Sequence, residues 1–165
     1  MTEFLTYSRP ITLVVDDVDP VELAATAVEL AGAAAREKNV EIRTHSSPGL
    51  PLVRMDRERM EQSLLNLLLN AVEACDDGGR VALTIQPAAG DGGVDFVIQD
   101  TGPGISAENL PRLFEPFFTT KVTGSGLGLA NVALIVKNHG GTISVDNLPQ
   151  AGACFTIHLP RASQG

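Results

Sequence analysis

Basic residues are scarce in this sequence of 165 residues. It has 12 Lys and Arg against 20 Asp and Glu, which gives a formal net charge of −8. A surface that binds nucleic acid or anionic lipid needs clustered positive charge to neutralise phosphates. The sequence has no such cluster, so we expect no nucleic-acid partner and no membrane contact from this chain.

Long apolar runs and grouped cysteines are lacking too. No run approaches the roughly 18 residues that would span a bilayer, and residues 1–10 do not have the basic start and apolar stretch of a signal peptide. The two cysteines, Cys75 and Cys154, lack metal-binding spacing. Two thiols in such a chain are typical of a reduced, cytosolic protein. Hydrophobic residues make up 44%, which is enough for the core of one domain.

Hydrophobic periodicity predicts three helices and one mixed sheet, and therefore a two-layer α/β sandwich of the α+β class. The first helix should bury one face, formed by Leu23, Ala27, Leu30 and Ala34, and the second should begin after Asp56 as its N-cap. The helices are predicted over residues 20–38, 57–75 and 127–138, with a short helical piece over 107–113. The strands are predicted over residues 11–15, 40–44, 52–54, 80–86, 94–99, 142–145 and 154–159.

The second predicted helix carries an unusual polar stripe on an otherwise leucine-rich sequence. Gln62, Asn66, Asn70 and Glu73 are spaced by 4, 4 and 3 residues, so they lie along one side. Asn is a mediocre helix former, and two of them one turn apart need a reason. The stripe is either a solvated face or a row of oxygens facing a cleft, where an amide oxygen would suit Mg²⁺.

Two glycine-rich segments and an aromatic segment follow. Asp100 begins DTGPG after a predicted strand, and it forms either a plain turn or a site where a carboxylate accepts a hydrogen bond from an exocyclic amine. GSGLGL (residues 124–129) opens a helix, and it is either a flexible linker or a phosphate cradle of exposed N–H groups. Between them, FEPFFTTK (residues 114–121) holds three of the six Phe residues. These aromatic side chains either anchor a mobile lid or form an ordinary core cluster.

The order and spacing of these segments resemble the ATP-binding catalytic domain of bacterial sensor histidine kinases, most of all the NtrB-like branch. The wider superfamily includes gyrase, Hsp90 and MutL. Residues 66–74 (NLLLNAVEA) resemble the N box, 100–104 the G1 box, 114–121 the F box and 124–129 the G2 box. The resemblance covers residues 4–160. It implies the Bergerat fold, in which a mixed, mostly antiparallel sheet is covered on one face by three helices.

The resemblance also implies roles for single residues in binding ATP and Mg²⁺. Asn70 would hold Mg²⁺, Asn66 would lie beside it near the phosphates, and Lys121 would stand at the edge of the lid; these are the implied catalytic residues. Asp100 would accept from the adenine 6-amino group. The other implied nucleotide contacts are Gly102, Gly104 and Ile105 at the adenine, Thr119 and Thr120 at the lid edge, and Gly124, Ser125, Gly126, Leu127 and Gly128 at the phosphates.

Two positions depart from the family pattern. Cys154 stands where the family usually has Thr, which removes a hydroxyl contact expected near adenine. Glu73 stands where some members carry Lys, so we expect no phosphate contact from its side chain.

The histidines decide what this chain does with ATP. None of His45, His139 and His158 is followed by an acid, as the family's phosphoacceptor is. Residues 4–10 resemble the tail of the phosphoacceptor hairpin. We therefore expect residues 1–10 to be a remnant of that hairpin and linker and 11–165 to be the ATP-binding domain, a cytoplasmic fragment of a soluble or membrane-anchored protein. It would transfer the γ-phosphoryl group to a histidine on a separate helical hairpin, and a response regulator would be an indirect partner.

Three alternatives share the same fold. An ATPase of this superfamily places a Glu general base one turn before the Mg²⁺-binding Asn, and here that position is Asn66, an amide that cannot take a proton from water. A protein-serine kinase of the anti-sigma type would lack the hairpin-like entry at residues 4–10. A nucleotide-sensing module without transfer would not need all four motifs.

Overall fold

The computed structural model describes residues 12–90, 92–116 and 128–161. The helices are α1 (Pro20–Lys38), α2 (Arg57–Ala74) and α3 (Gly128–Asn138), and a 3₁₀ turn lies at Leu110–Arg112. The strands are β1 (Asp16–Val18), β2 (Glu41–Ser46), β3 (Val53–Met55), β4 (Arg80–Pro87), β5 (Val94–Asp100), β6 (Thr142–Asn147) and β7 (Ala153–Leu159).

Capping groups fix both ends of α1 and the start of α2. The Asp19 carboxylate accepts from the N–H of Val21 at 2.9 Å, and the Asp56 carboxylate accepts from the N–H of Arg59 at 3.2 Å. Helix α1 ends at Asn39, which adopts the left-handed conformation at φ 59°. The predicted bounds of both helices are confirmed to within one residue, whereas the predicted start of the third helix, Leu127, lies outside the described residues.

The main sheet has five strands in the order β2-β4-β5-β7-β6. Only the β2–β4 pair is parallel; the other three pairs are antiparallel. Along β4, β5 and β7, every second residue is buried and the residues between them are half-buried, so one face of the sheet packs on the core. The predicted α+β sandwich with a mixed, mostly antiparallel sheet and three helices is confirmed.

The prediction of a first strand over residues 11–15 is wrong for the residues described. Residues 12–15 lie outside any strand, and β1 pairs instead with β3 in a separate two-stranded sheet. The β-branched run predicted a strand from propensity alone, but pairing depends on a partner. Here the partner is the segment that leads directly into the N-cap of α2.

The buried face of α1 agrees with its prediction only in part: Leu23 and Ala27 are buried, whereas Ala34 is half-buried. Leu30 is 54% exposed, and the face is instead formed mainly by small residues, with Ala24, Ala27, Ala31 and Ala35 all buried. Small side chains let α1 lie close to α2, against which it packs. None of the helices within the described ranges combines the length and apolarity that crossing a bilayer requires.

Candidate nucleotide site

Asp100 is a buried carboxylate at the end of β5, only 4% exposed. Its Oδ1 accepts from the N–H of Gly102 at 2.8 Å and from the N–H of Ala153 at 3.3 Å. Within the described part of the chain, no hydrogen bond reaches Oδ2. Burial raises the pKa of Asp100 above the usual aspartate range, because the two N–H groups only partly offset the loss of hydration. One oxygen is thus fixed by the backbone and the other is left as an acceptor for a ligand.

The loop after Asp100 packs tightly on the end of α2. A Cβ on Gly102 would lie 2.5 Å from the carbonyl oxygen of Ala74, so only glycine fits there. Thr101 joins the loop to the start of β4: its Oγ1 accepts from the N–H of Arg80 at 2.9 Å, and its own N–H donates to the Arg80 carbonyl at 3.1 Å. The acceptor at Asp100 is therefore anchored beside the helix that carries Asn70.

The turn between β6 and β7 holds the same loop from the other side. Gly152 has φ 100°, and a Cβ there would collide with the carbonyl oxygen of Asp100. Asn147, at the end of β6, makes two hydrogen bonds to the backbone of Ile105. Asn147 could not be predicted from the sequence, because it belongs to none of the four motifs and an amide beside a turn is too common to single out.

The polar stripe of α2 is not uniformly solvated. Asn66 and Asn70 are half-buried, whereas Gln62 and Glu73 at its two ends are exposed. The opposite face is fully packed, with Leu64, Leu67 and Leu68 buried. The two amides are therefore the members of the stripe that are least accessible to solvent.

His139 and Asp56 join the start of α2 to the end of α3. The backbone N–H of Asp56 donates to Nε2 of His139 at 3.0 Å, and the Nδ1–H of His139 donates to the Ile135 carbonyl at 2.8 Å. This pair of bonds requires the neutral imidazole with its proton on Nδ1. The prediction that His139 is not a phosphoacceptor agrees with these two engaged ring nitrogens.

Helices α2 and α3 also pack against each other. The hydrogen bond between Asp56 and His139 therefore lies where the start of α2 meets the end of α3.

The structure describes some predicted site residues and not others. The described ones are Asn66, Asn70, Asp100, Gly102, Gly104, Ile105 and Gly128. Gly128 is the first residue of α3, and a Cβ added to it would have no heavy atom within 4 Å. Outside the described residues lie Thr119, Thr120, Lys121, Gly124, Ser125, Gly126 and Leu127. Cys154 lies on a half-buried position of β7, and its Sγ is 3.9 Å from Nε2 of Gln99. Since neighbouring residues of a strand face opposite ways, Cys154 points away from the Asp100 side.

Comparison with known proteins gives relatives over most of the chain. Sensor histidine kinase ZraS of Klebsiella oxytoca is 38% identical over 160 residues, which are 97% of this chain and 34% of ZraS. Sensory histidine kinase/phosphatase NtrB of Rhizobium meliloti is 35% identical over 177 aligned residues, covering 99% of this chain and 45% of NtrB. The chain therefore spans less than half the length of these two relatives.

Solved structures match the fold as well. The catalytic domain of histidine kinase ThkA superposes with a TM-score of 0.82 at 29% identity, covering 92% of this chain and all of that domain. Full-length ShkA in complex with AMPPNP has a TM-score of 0.84 at 33% identity and covers 99% of this chain and 35% of ShkA. ThkA in complex with the response regulator TrrA has a TM-score of 0.80 at 28% identity, covering 97% and 46%.

A family model described as "Histidine kinase-, DNA gyrase B-, and HSP90-like ATPase" matches residues 55–163. That match contains the segments that resemble the N, G1, F and G2 boxes. The resemblance to histidine kinase catalytic domains is thereby confirmed. The chain belongs to the histidine kinase-, DNA gyrase B- and HSP90-like ATPase family.

Proposed function

We propose that this chain is the catalytic domain of a two-component sensor histidine kinase, which binds MgATP and transfers the γ-phosphoryl group to a histidine on a separate helical hairpin. The observation that carries the proposal is the Asp100 carboxylate, buried and held through Oδ1 while Oδ2 accepts no hydrogen bond from the described residues. Among the described residues no side-chain oxygen or nitrogen is both fully buried and unpaired, so Oδ2 is reachable from solvent. A ligand that displaces water from Oδ2 must donate a hydrogen bond to it in return.

The chemistry of Asp100 favours adenine over guanine. Adenine carries an amino group at C6, which donates a hydrogen bond, whereas guanine carries a carbonyl oxygen there. An ionised carboxylate only accepts, so guanine would set one acceptor against another. The tight packing at Gly102 and Gly104 leaves backbone, without side chains, beside this acceptor.

The phosphate end of the nucleotide would lie along α2 and the start of α3. Asn70 is the residue proposed to hold Mg²⁺ through its amide oxygen, with Asn66 beside it; bound there, Mg²⁺ would neutralise phosphate charge. Gly128 would offer its backbone, since the first N–H groups of a helix lack partners within it. These contacts would let a chain of net charge −8 bind an anionic ligand.

The transfer itself would need a second domain. Phosphoryl transfer depends mostly on positioning and charge neutralisation, and this domain would supply both for ATP. The acceptor histidine would come from the phosphoacceptor hairpin of the same kinase, and a response regulator would receive the phosphoryl group in turn. The solved complex of ThkA with TrrA supports a response regulator as a partner. Two free cysteines fit a cytoplasmic domain.

Asn66 favours transfer to a protein over hydrolysis by this domain. In the ATPases of the superfamily a Glu general base is expected at its position, and an amide cannot accept a proton from water at neutral pH. The variant Asn66→Glu tests this interpretation. If hydrolysis requires a general base at this position, the variant should hydrolyse ATP slowly.

A nucleotide titration tests the proposal. We expect the chain to bind MgATP in the micromolar range or more weakly, to bind MgGTP less well, and to lose affinity in EDTA. Asp100→Asn should weaken ATP binding by about 1–3 kcal/mol, the range for mispairing a buried polar group. Asp95→Asn, on the other face of β5, is the matched control and should bind like the wild type. Equal binding of ATP and GTP, or no effect of Asp100→Asn, would contradict the proposal.

A further inference from the structure

Asn147 binds both polar groups of one residue in the loop that follows Asp100. Its Oδ1 accepts from the N–H of Ile105 at 2.8 Å, and its Nδ2–H donates to the carbonyl of Ile105 at 2.6 Å. The two residues are 42 positions apart in the chain. The bonds therefore join the end of β6 to a loop residue that lies outside any helix or strand.

The rest of the β6–β7 turn holds the opposite end of this loop. Leu148 donates its N–H to the Gly152 carbonyl at 2.9 Å, which closes the turn, and Ala153 donates to Oδ1 of Asp100 at 3.3 Å. Residues 100–105 are thus held at both ends by one turn, at Asp100 through the backbone and at Ile105 through the side chain of Asn147.

The loop needs this support because its own backbone is permissive. Gly104 has φ 84°, a conformation that only glycine adopts readily. A Cβ added to Gly104 would lie 2.8 Å from Oδ1 of Asn147. Ordering such a residue costs conformational entropy. If the loop is already ordered in the free protein, this entropy loss does not reduce the affinity for the ligand.

We propose that Asn147 is a positioning residue for the nucleotide base. It acts through Ile105, keeping the loop in the conformation in which Ile105 and the backbone of Gly104 line the pocket beside Asp100. The inference rests on the proposed function, because it assigns Asn147 to the base end of the same site. It concerns a residue outside all four sequence motifs.

Two measurements on Asn147→Ala in the full chain test this role. The first is amide hydrogen exchange without nucleotide: exchange at Ile105 should become at least tenfold faster, because its acceptor is gone, while the thermal midpoint changes little for an exposed residue. The second is titration with MgATP, for which Kd should rise roughly fivefold to thirtyfold with unchanged stoichiometry, the range for losing two exposed hydrogen bonds. A merely unstable variant would instead lose binding-competent protein without a change in Kd.

Gln150→Ala is the matched control, since it removes an exposed amide from the same turn. It should leave both the exchange rate and Kd unchanged. Faster exchange at Ile105 with an unchanged Kd would overturn the positioning role, and unchanged exchange would show that the two bonds do not hold the loop. If the wild-type chain bound no nucleotide, the proposed function would fail first, and the exchange data would then show a structural brace only.

Discussion

At the scale of single residues, Asp100 combines a cost to stability with a proposed role in binding. Its pKa is raised on folding, so the folded state disfavours its ionised form. The contribution of Asp100 to the free energy of unfolding is therefore fully present below the ordinary aspartate pKa and is lost as the pH rises through the raised value. Above the raised pKa the buried charge is a penalty, which a donor on a nucleotide bound at the proposed site would relieve.

Asp100→Asn should accordingly separate stability from binding. Asn can still accept from Gly102 and Ala153 through its Oδ1 but carries no charge, so its free energy of unfolding at pH 7 should equal or exceed that of the wild type. The difference should shrink as the pH is lowered towards about 4. Chemical denaturation over this pH range measures it. A variant that is markedly less stable at pH 7 would show that the carboxylate has another stabilising partner.

Asp56 should behave in the opposite way. Burial raises its pKa, but hydrogen bonds from Val14 and Arg59 and the charge of Arg59 outweigh burial, so the pKa lies below the usual range. Its stabilising contribution is present above the ordinary aspartate pKa and is lost as the pH falls through the lowered value. Asp56→Asn, which keeps a capping oxygen, should cost about 1–2 kcal/mol at pH 7. This cost should decrease as the pH falls below about 4 and should vanish only below the lowered pKa.

The N-cap of α1 supplies the control for that experiment. Asp19→Asn should cost less than about 0.5 kcal/mol, because Asp and Asn are equivalent caps. Equal losses at Asp19 and Asp56, or a loss at Asp56 that does not depend on pH, would contradict the assigned role of the Asp56 charge.

At the scale of elements, the turn between β6 and β7 depends on a glycine for two reasons. Gly152 combines φ 100° with direct contact between its Cβ position and the Asp100 carbonyl, whereas Gly90 has a similar φ of 95° in open space. Gly90→Ala should cost about 1–2 kcal/mol from the backbone conformation alone. Gly152→Ala should cost about 3 kcal/mol or more, since overpacking adds to the strain. Thermal denaturation of both variants gives the comparison, and equal losses would contradict the close contact.

Helices and their caps were predictable from the sequence because they depend on local groups such as Asp56 and on periodicity over many residues. The first strand was not, because β1 exists only through pairing with β3, and a β-branched run does not reveal its partner. The buried face of α1 was misjudged for the same reason: whether Leu30 or Ala31 is buried depends on how closely α2 approaches.

The proposed site residues also divide into those that the sequence could indicate and those that it could not. Asp100, Gly102 and the amides of α2 could be named from the sequence, since each stands in a motif whose chemistry limits the residue type. Asn147 could not, because its importance comes from a contact across 42 residues. Sequence patterns identify groups that act on a ligand more readily than groups that hold those in place.

At the scale of the whole molecule, we expect that the chain does not phosphorylate its own histidines. His139 has both ring nitrogens engaged, and Nδ1 of His158 is 2.8 Å from the Asp95 carboxylate. Incubation with γ-labelled MgATP should leave no acid-labile phosphate on this chain, whereas adding the separate phosphoacceptor hairpin of its own kinase should give label on the hairpin. If the chain became labelled in the absence of the hairpin, this would contradict the proposal that the acceptor histidine lies on a separate domain.

The proposed function requires that the acceptor at Asp100 and the amide at Asn70 belong to one MgATP pocket. An NMR titration of the ¹⁵N-labelled chain with MgATP measures this directly. We expect saturable shifts, with one common Kd, of the backbone amides of Gly102 and Ala153 and of the side-chain amide of Asn70. Saturation that leaves these three signals unmoved, or separate Kd values for the two ends of the site, would contradict the proposal.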